Sequence, residues 1–327
     1  MTKPSSIFRY TSSFTICCLF FLSCDQAFDP KAEFEQQLVV YARISNDRNN
    51  QILRVHTNYE VSGFDPYENT VDRVPDGLRV TITESLNLFT FRDTLLVRSD
   101  TSRYKEPLPA FVASPFQPEH GKRYDLSIVS PTYGVVTSSI VMPTKPVITI
   151  APGTLILDQP DQFGASAFFY FVATISLSTK GYLGQVFIDY QVRVDSTWRD
   201  ERTEVPYHVI ADTLGKFYAV YPTLKRTLTT LANVGFRKIH YVKAIAKVHE
   251  RYPHHSIVFK RVVFRLMQCE ANLYDYFNTV NGFRDPHSIR LDMPAFSNIS
   301  GATGIFGAYA LDSVTHILPD DFRLNAR

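Results

Sequence analysis

Gly121-Lys122-Arg123-Tyr124-Asp125-Leu126-Ser127-Ile128, then Ser130-Pro131-Thr132-Tyr133-Gly134, then Val135 to Val141, is the stretch that decides the fold. Tyr124, Leu126 and Ile128 fall on one face and Asp125 and Ser127 on the other, the period-two pattern of a half-buried strand. Pro131 and Gly134 mark a reversal, and the valine-rich return makes an antiparallel partner. Upstream, Leu78, Val80 and Ile82 alternate with Arg79, Thr81 and Thr83, a second half-buried strand. Residues 58–77 hold Gly63, Pro66, Pro75 and Gly77 and read as a long loop. Before it, Gln51 to Thr57 alternates, and Leu38-Val39-Val40-Tyr41-Ala42-Arg43-Ile44 is β-branched and aromatic-rich.

A Gly-x-x-Tyr-x-Leu strand leading into a hairpin resembles the late strands of an immunoglobulin-type sandwich. The expected fold is mainly β: two β-sandwich-like domains, the first, residues 36–145, immunoglobulin-like. Pro143-Thr144-Lys145-Pro146 is stiff and poor in backbone donors, and forms the expected boundary. The second β-rich domain, residues 146–327, holds one short helix near its C-terminal part, at 270–281. There Leu273, Tyr276, Phe277 and Val280 fall at i, i+3, i+4 and i+7, and Gly282 supplies a stop.

Elsewhere in this half, Phe168 to Leu177 reads as a strand buried on both faces. Val186 to Val194 alternates, and Lys216 to Tyr221, Lys238 to Val248 and Ser256 to Met267 read as further strands. Leu224, Leu228 and Leu231 suggest a short helix within Thr223 to Val234. A last strand runs to about Ile317, after Gly301, Gly304 and Gly307, which read as turn or bulge positions where backbones pack closely.

The first residues read as an address. Lys3 and Arg9 form a basic region, and Phe14 to Leu22 is apolar except for Thr15, too short to span a bilayer. Ser23-Cys24 follows and resembles a bacterial lipobox, with Phe21 where leucine is usual and Leu22 one place later. Residues 1–23 are then a lipoprotein signal peptide, Cys24 the lipid attachment site, and 24–35 an acidic tether with Asp25, Asp29, Glu33 and Glu35. The alternative is an ordinary cleaved signal with an incidental cysteine.

Composition bounds the function. The 327 residues include 45% hydrophobic and 20% charged, which excludes a disordered scaffold. Removing residues 1–23 takes out Lys3 and Arg9 and no acid, so 34 basic residues fall to 32, matching the 32 acidic ones. Such balance argues against a nucleic-acid partner. Of four cysteines only Cys24 and Cys269 remain in the mature chain, so a structural disulfide is not expected, and Cys269 reads as a small buried hydrophobe.

The chain resembles the bacterial envelope lipoproteins, of Bacteroidota type, grouped as domain of unknown function 4249. The resemblance rests on Cys24, Leu38-Val39-Val40, Pro75-Asp76-Gly77-Leu78-Arg79-Val80 and Gly121…Tyr124-Asp125-Leu126. It continues through Leu273-Tyr274-Asp275-Tyr276 and Asn298-Ile299…Gly304-Ile305-Phe306-Gly307. It implies no catalytic residues. It implies an outer-membrane lipid-anchored accessory, with a TonB-dependent transporter as partner; the leaflet and face stay open.

No catalytic constellation stands out. His249, His254 and His255 cluster beside Arg251 without metal-ligand spacing, and Gly164-Ala165-Ser166-Ala167-Phe168 lacks the second glycine of a nucleophile elbow. No cofactor or metal is expected. Trp198, the sole tryptophan, sits among Asp195, Arg199, Asp200 and Glu201 and is the one candidate ligand-binding residue, against the alternative of a ring capping the sheet edge. Two function classes follow: a non-catalytic binding or accessory lipoprotein, and a surface hydrolase of glycan or peptide.

Overall fold

The computed structural model describes residues 33–61, 65, 69–99, 101–102, 104–151, 155–211, 213, 217–281 and 296–322. Residues 1–36 and Gln37–Arg327 form separate units. The expected signal peptide, Cys24 and most of the tether lie outside the described residues. The protein is mainly β. Its strands are β1 (Leu38–Ser45), β2 (Gln51–Thr57), β3 (Arg79–Glu84), β4 (Asn87–Leu96), β5 (Leu108–Ala113), β6 (Arg123–Ser130), β7 (Gly134–Val141) and β8 (Val147–Ile150). They continue with β9 (Phe168–Thr174), β10 (Thr179–Val194), β11 (Thr197–Glu204), β12 (His208–Ala211), β13 (Phe217–Val220), β14 (Lys225–Arg226), β15 (Leu231–Arg237), β16 (Ile257–Glu270) and β17 (Thr303–Ile317). The helices are α1 (Leu155–Asp158), α2 (Lys238–Arg251) and α3 (Ala271–Asn281), with a 3-10 turn at Pro160–Gln162.

The largest sheet runs β11-β10-β16-β17-β1-β2-β5-β4-β3-β6-β7. It doubles back at β4, whose first half (Asn87–Phe91) pairs with β3 and whose second half (Arg92–Leu96) pairs with β5. Alternation makes the two layers stick. Leu38, Val40, Ala42 and Ile44 of β1 and Leu53 and Val55 of β2 share one cluster with Val80, Ile82, Tyr124, Leu126, Ile128 and Val136. Each such aliphatic side chain contributes roughly 1.5–3 kcal/mol on burial. A one-residue slip would turn all of them to water, so register is strongly specified. Gln51, buried, locks the β1–β2 connection: its Oε1 accepts the Ser45 N–H, and its Nε2 donates to the carbonyls of Ser45, Arg48 and Phe116.

A second cluster lies between the small sheet β15-β9-β8, strands β10 and β16, and α2. β9 buries Phe169, Phe171 and Ala173 but leaves Phe168 and Tyr170 56% and 40% exposed. The expected two-face burial of Phe168 to Leu177 is therefore corrected: this small sheet covers the core with one face only. Lys238 to Val248 is helix α2, not a strand. Its buried residues Tyr241, Ala244, Ile245 and Val248 recur at helical spacing, and that period outweighs the β-branched content. Nor is Thr223 to Val234 helical, since β15 pairs along β9 from Leu231↔Thr174 to Arg237↔Phe168. A partner strand some sixty residues away overrides the leucine spacing. Helix α3 and the hairpin β6–β7 lie where the sequence places them.

Pro143–Pro146 lies between β7 and β8, tied down by buried Gln268, whose Nε2 donates to the Thr144 carbonyl. The Gln268 Oε1 accepts from Ser176 N–H and Thr179 Oγ1, each at 2.9 Å. β17 belongs to both halves of the sheet. Thr303–Tyr309 runs parallel to β1, and Tyr309–Ile317 runs antiparallel to β16. Phe306, Ala308 and Ala310 of β17 face the first cluster, while Ile305 and Tyr309 face α3.

Candidate functional site

The outward face of β1 and β2 meets α3 across β17, and the register places its side chains. Tyr41 lies opposite Arg54 on β2 and Ile305 on β17, and Arg43 lies opposite Ile52 and Gly307. Helix α3 is held over β17 by Glu270, the last residue of β16. Its carboxylate accepts the Asn272 and Leu273 N–H groups, each at 2.7 Å. These are two of the donors a helix start leaves unpaired. Burial pushes the Glu270 carboxyl above its ordinary value, against those hydrogen bonds. Two glycines set the spacing. A Cβ at Gly307 would stand 2.8 Å from Leu273 Cβ, so glycine admits the helix. A Cβ at Gly304, where φ is +119°, would stand 2.0 Å from the Val40 carbonyl oxygen, so glycine admits β1.

Between these elements is a groove of about 640 Å³, with Arg43, Arg48 and Arg54 among its lining residues and, among the described residues, no Asp or Glu. Its wall is aromatic. Tyr41 stacks on His56 at 5.7 Å and meets Tyr276 edge-on at 6.3 Å; Tyr276 meets Phe277 at 5.9 Å. Burial, then the neighbouring Tyr41, pushes the Tyr276 hydroxyl up to about 12, so it stays a neutral donor at ordinary pH. The Arg43 guanidinium lies 5.4 Å from the Tyr309 ring centre, and among the described residues no carboxylate pairs with it. Arg54 reaches Asp72 at 3.3 Å, and Asp72 also pairs with Arg98. The Arg54 Nε is buried and has no hydrogen-bond partner among the described residues. Arg48 stands 3.9 Å from Asp47, which also accepts from the Tyr309 hydroxyl at 3.2 Å.

A second, shallower cleft of about 690 Å³ lies on the outer face of β10, β11 and β16. Asp189 there sits between Arg202 at 2.6 Å and Arg261 at 2.8 Å. Burial acts to raise its carboxyl, and the two guanidiniums outweigh that and hold it below the usual range. These charges satisfy one another, so the groove by α3 is the stronger site.

Trp198 is on β11, opposite Arg193, just past a turn whose Asp195 and Ser196 both have positive φ. It is 47% exposed and does not line the groove. Cys24 lies outside the described residues. The His249 ring packs against Phe259 at 5.6 Å and His255 against Tyr252 at 5.6 Å. Among the described residues no three His, Cys, Asp or Glu side chains gather as a metal site would need. The Cys269 thiol is fully buried, and burial pushes it up to about 12. Leu273, Tyr276 and Phe277 of the groove stand out in the sequence as a helix stripe, but none of its lining residues reads there as a ligand-binding residue. The available signal was Tyr41 and Arg43 at the outward positions of a strongly apolar strand.

Fold and groove together define a mainly β protein with an arginine- and aromatic-lined groove between a sheet face and a short helix. The family model described as Domain of unknown function (DUF4249) matches residues 25–315, and the chain belongs to that family. No curated protein matches it. Several segments that carry the resemblance meet around this site. Leu273, Tyr274 and Tyr276 are on α3, and Asn298, Gly304 and Gly307 position β17 beneath it.

Proposed function

We propose that this chain is a lipid-anchored envelope protein with a non-catalytic binding or accessory role, placed at the outer membrane of a Bacteroidota-type bacterium beside a TonB-dependent transporter. The observation that carries the binding role is the groove: guanidinium donors and aromatic faces converge there, with no lining carboxylate among the described residues. The anchor rests on the apolar Phe14 to Leu22 run followed by Ser23-Cys24. Two or three acyl chains, at about 0.8 kcal/mol per buried methylene, would hold it to a membrane. Trp198, half exposed on strand β11 at one end of the sheet, belongs to the partner-facing surface in this reading.

The test is in-cell cross-linking with identification of partners, beside an activity screen on glycans and peptides. A transporter recovered with the wild-type chain and lost with Cys24→Ala is the expected result. Reproducible turnover that disappears on changing one acid or histidine, with no transporter recovered, would replace this reading with the hydrolase.

A further inference from the structure

Three features of the groove point to the chemistry of its occupant. Among the described residues its lining holds three arginines and no acid; Arg48 and Arg54 pair with Asp47 and Asp72 outside that lining, which leaves Arg43 as the cation able to draw an anion. Arg43 is a cation without a carboxylate partner among the described residues, and the Arg54 Nε is an unpaired buried donor. The unsatisfied Nε shows that the Asp72 pairing leaves the Arg54 guanidinium with unused hydrogen-bonding capacity. Third, at about 640 Å³ the groove has the capacity of a small-molecule site rather than of a protein interface.

Arg43 and Arg54 stand on the same sheet face, two residues apart in register, because Arg43 pairs with Ile52 and Tyr41 with Arg54. Diagonal neighbours of this kind are within reach of a shared ligand. The planar guanidinium fork matches a carboxylate through two parallel hydrogen bonds, and an ammonium does not. Tyr41 and Tyr276 offer ring edges and faces beside that point.

We propose that the groove binds a small organic acid: a carboxylate held by Arg43 and Arg54, joined to a ring that lies against Tyr41 and Tyr276. This rests on the binding reading given above and names its ligand class. The ring is that of a sugar acid or an aromatic acid, two sources of one shared chemistry.

The experiment is calorimetric titration of the full-length chain in detergent with glucuronate and with benzoate, each beside its neutral counterpart, glucose or benzamide. One acid is expected to bind saturably, and its neutral counterpart about tenfold or more weakly, as loss of a charged hydrogen-bonded pair implies. Which acid binds identifies the ring. Arg43→Gln is expected to weaken that acid about tenfold or more, and Arg43→Lys to restore only part of the loss. Arg43 faces solvent, so its variants keep the unfolding midpoint of the parent. No binding by either acid, equal binding of acid and neutral probe, or no effect of Arg43→Gln would overturn the assignment. The titration does not depend on the partner: a transporter still cross-linked to a chain that ignores both acids would remove the ligand assignment and leave the binding reading in place.

Discussion

Asn298 grips the backbone of Phe306 with both ends of its amide, Oδ1 accepting the Phe306 N–H at 2.9 Å and Nδ2 donating to the Phe306 carbonyl at 2.7 Å. A side chain here takes the place of a strand. The first half of β17 has β1 along one edge, while β16 joins only from Tyr309 onward, so Asn298 covers the edge that would otherwise be bare. Asn46 does the same beyond the end of β1: its Oδ1 accepts the Leu311 N–H at 2.8 Å and its Nδ2 donates to the Leu311 carbonyl at 3.1 Å. Among the described residues, two asparagines thus patch places where a strand shared by both halves lacks a neighbour.

Asn298→Ala leaves both Phe306 backbone groups without this partner. Unfolding in urea is expected to show a loss of about 1–3 kcal/mol. Asn298→Asp should lose at least as much, because a carboxylate would face the Phe306 carbonyl. An Asn298→Ala protein within about 0.5 kcal/mol of the parent would show that the amide is dispensable.

Gly304→Ala places a methyl group against the Val40 carbonyl at a backbone angle that only glycine adopts readily. A cost on the order of 3 kcal/mol or more is expected, with β1 displaced from β17. Gly164→Ala is the control, since nothing lies within 4 Å of its Cβ position, and it should change stability by less than about 0.5 kcal/mol. Equal melting shifts for the two variants would contradict the close approach.

Glu270 titrates above its ordinary value of 4.5 when folded, chiefly through burial. A carboxyl with a raised folded pKa binds its proton more tightly in the folded chain. Its ionisation therefore removes stability as pH rises from about 4.5 towards the folded value. Glu270→Gln cannot ionise. The stability of the parent minus that of the variant is thus expected to fall as pH is raised from about 4 to about 7, read from urea midpoints at each pH. A difference that grows across this range would show that the two helix N–H bonds outweigh burial.

Cys269 is expected to resist alkylation in the folded chain. Its thiol is fully buried and pushed up to about 12, so almost no thiolate reaches solvent. Peptide mapping after iodoacetamide should show Cys269 modified only in denaturant. Modification in native buffer at the rate of a free cysteine would mean that α3 lifts from β17.

Much of this architecture is written locally. Period-two alternation in Gln51–Thr57, Arg79–Glu84 and Arg123–Ser130, and the β-branched and aromatic content of Leu38–Ser45, mark strands, and each of these strands forms. The helical spacing of Leu273, Tyr276 and Phe277 and the glycines at 301, 304 and 307 are legible in the same way, because helix period and backbone crowding act over a few residues. Where the reading failed, the deciding partner was distant. β15 is a strand because β9 pairs with it, and β9 is exposed on one face because, among the described residues, no further layer covers that sheet. For α2, the local period was present but masked by β-branched residues.

The groove belongs wholly to this second kind of information. Sequence by itself determined that Tyr41 and Arg43 belong to one strand, and that Tyr276 and Phe277 share one helix. Only tertiary structure brought them to one place, through the parallel register of β1 with β17 and the close approaches that Gly304 and Gly307 permit. The physical reason is that strand alternation and helix period reach only a few residues along the chain. Pairing Tyr41 with Ile305 depends on packing free energy summed over the whole fold.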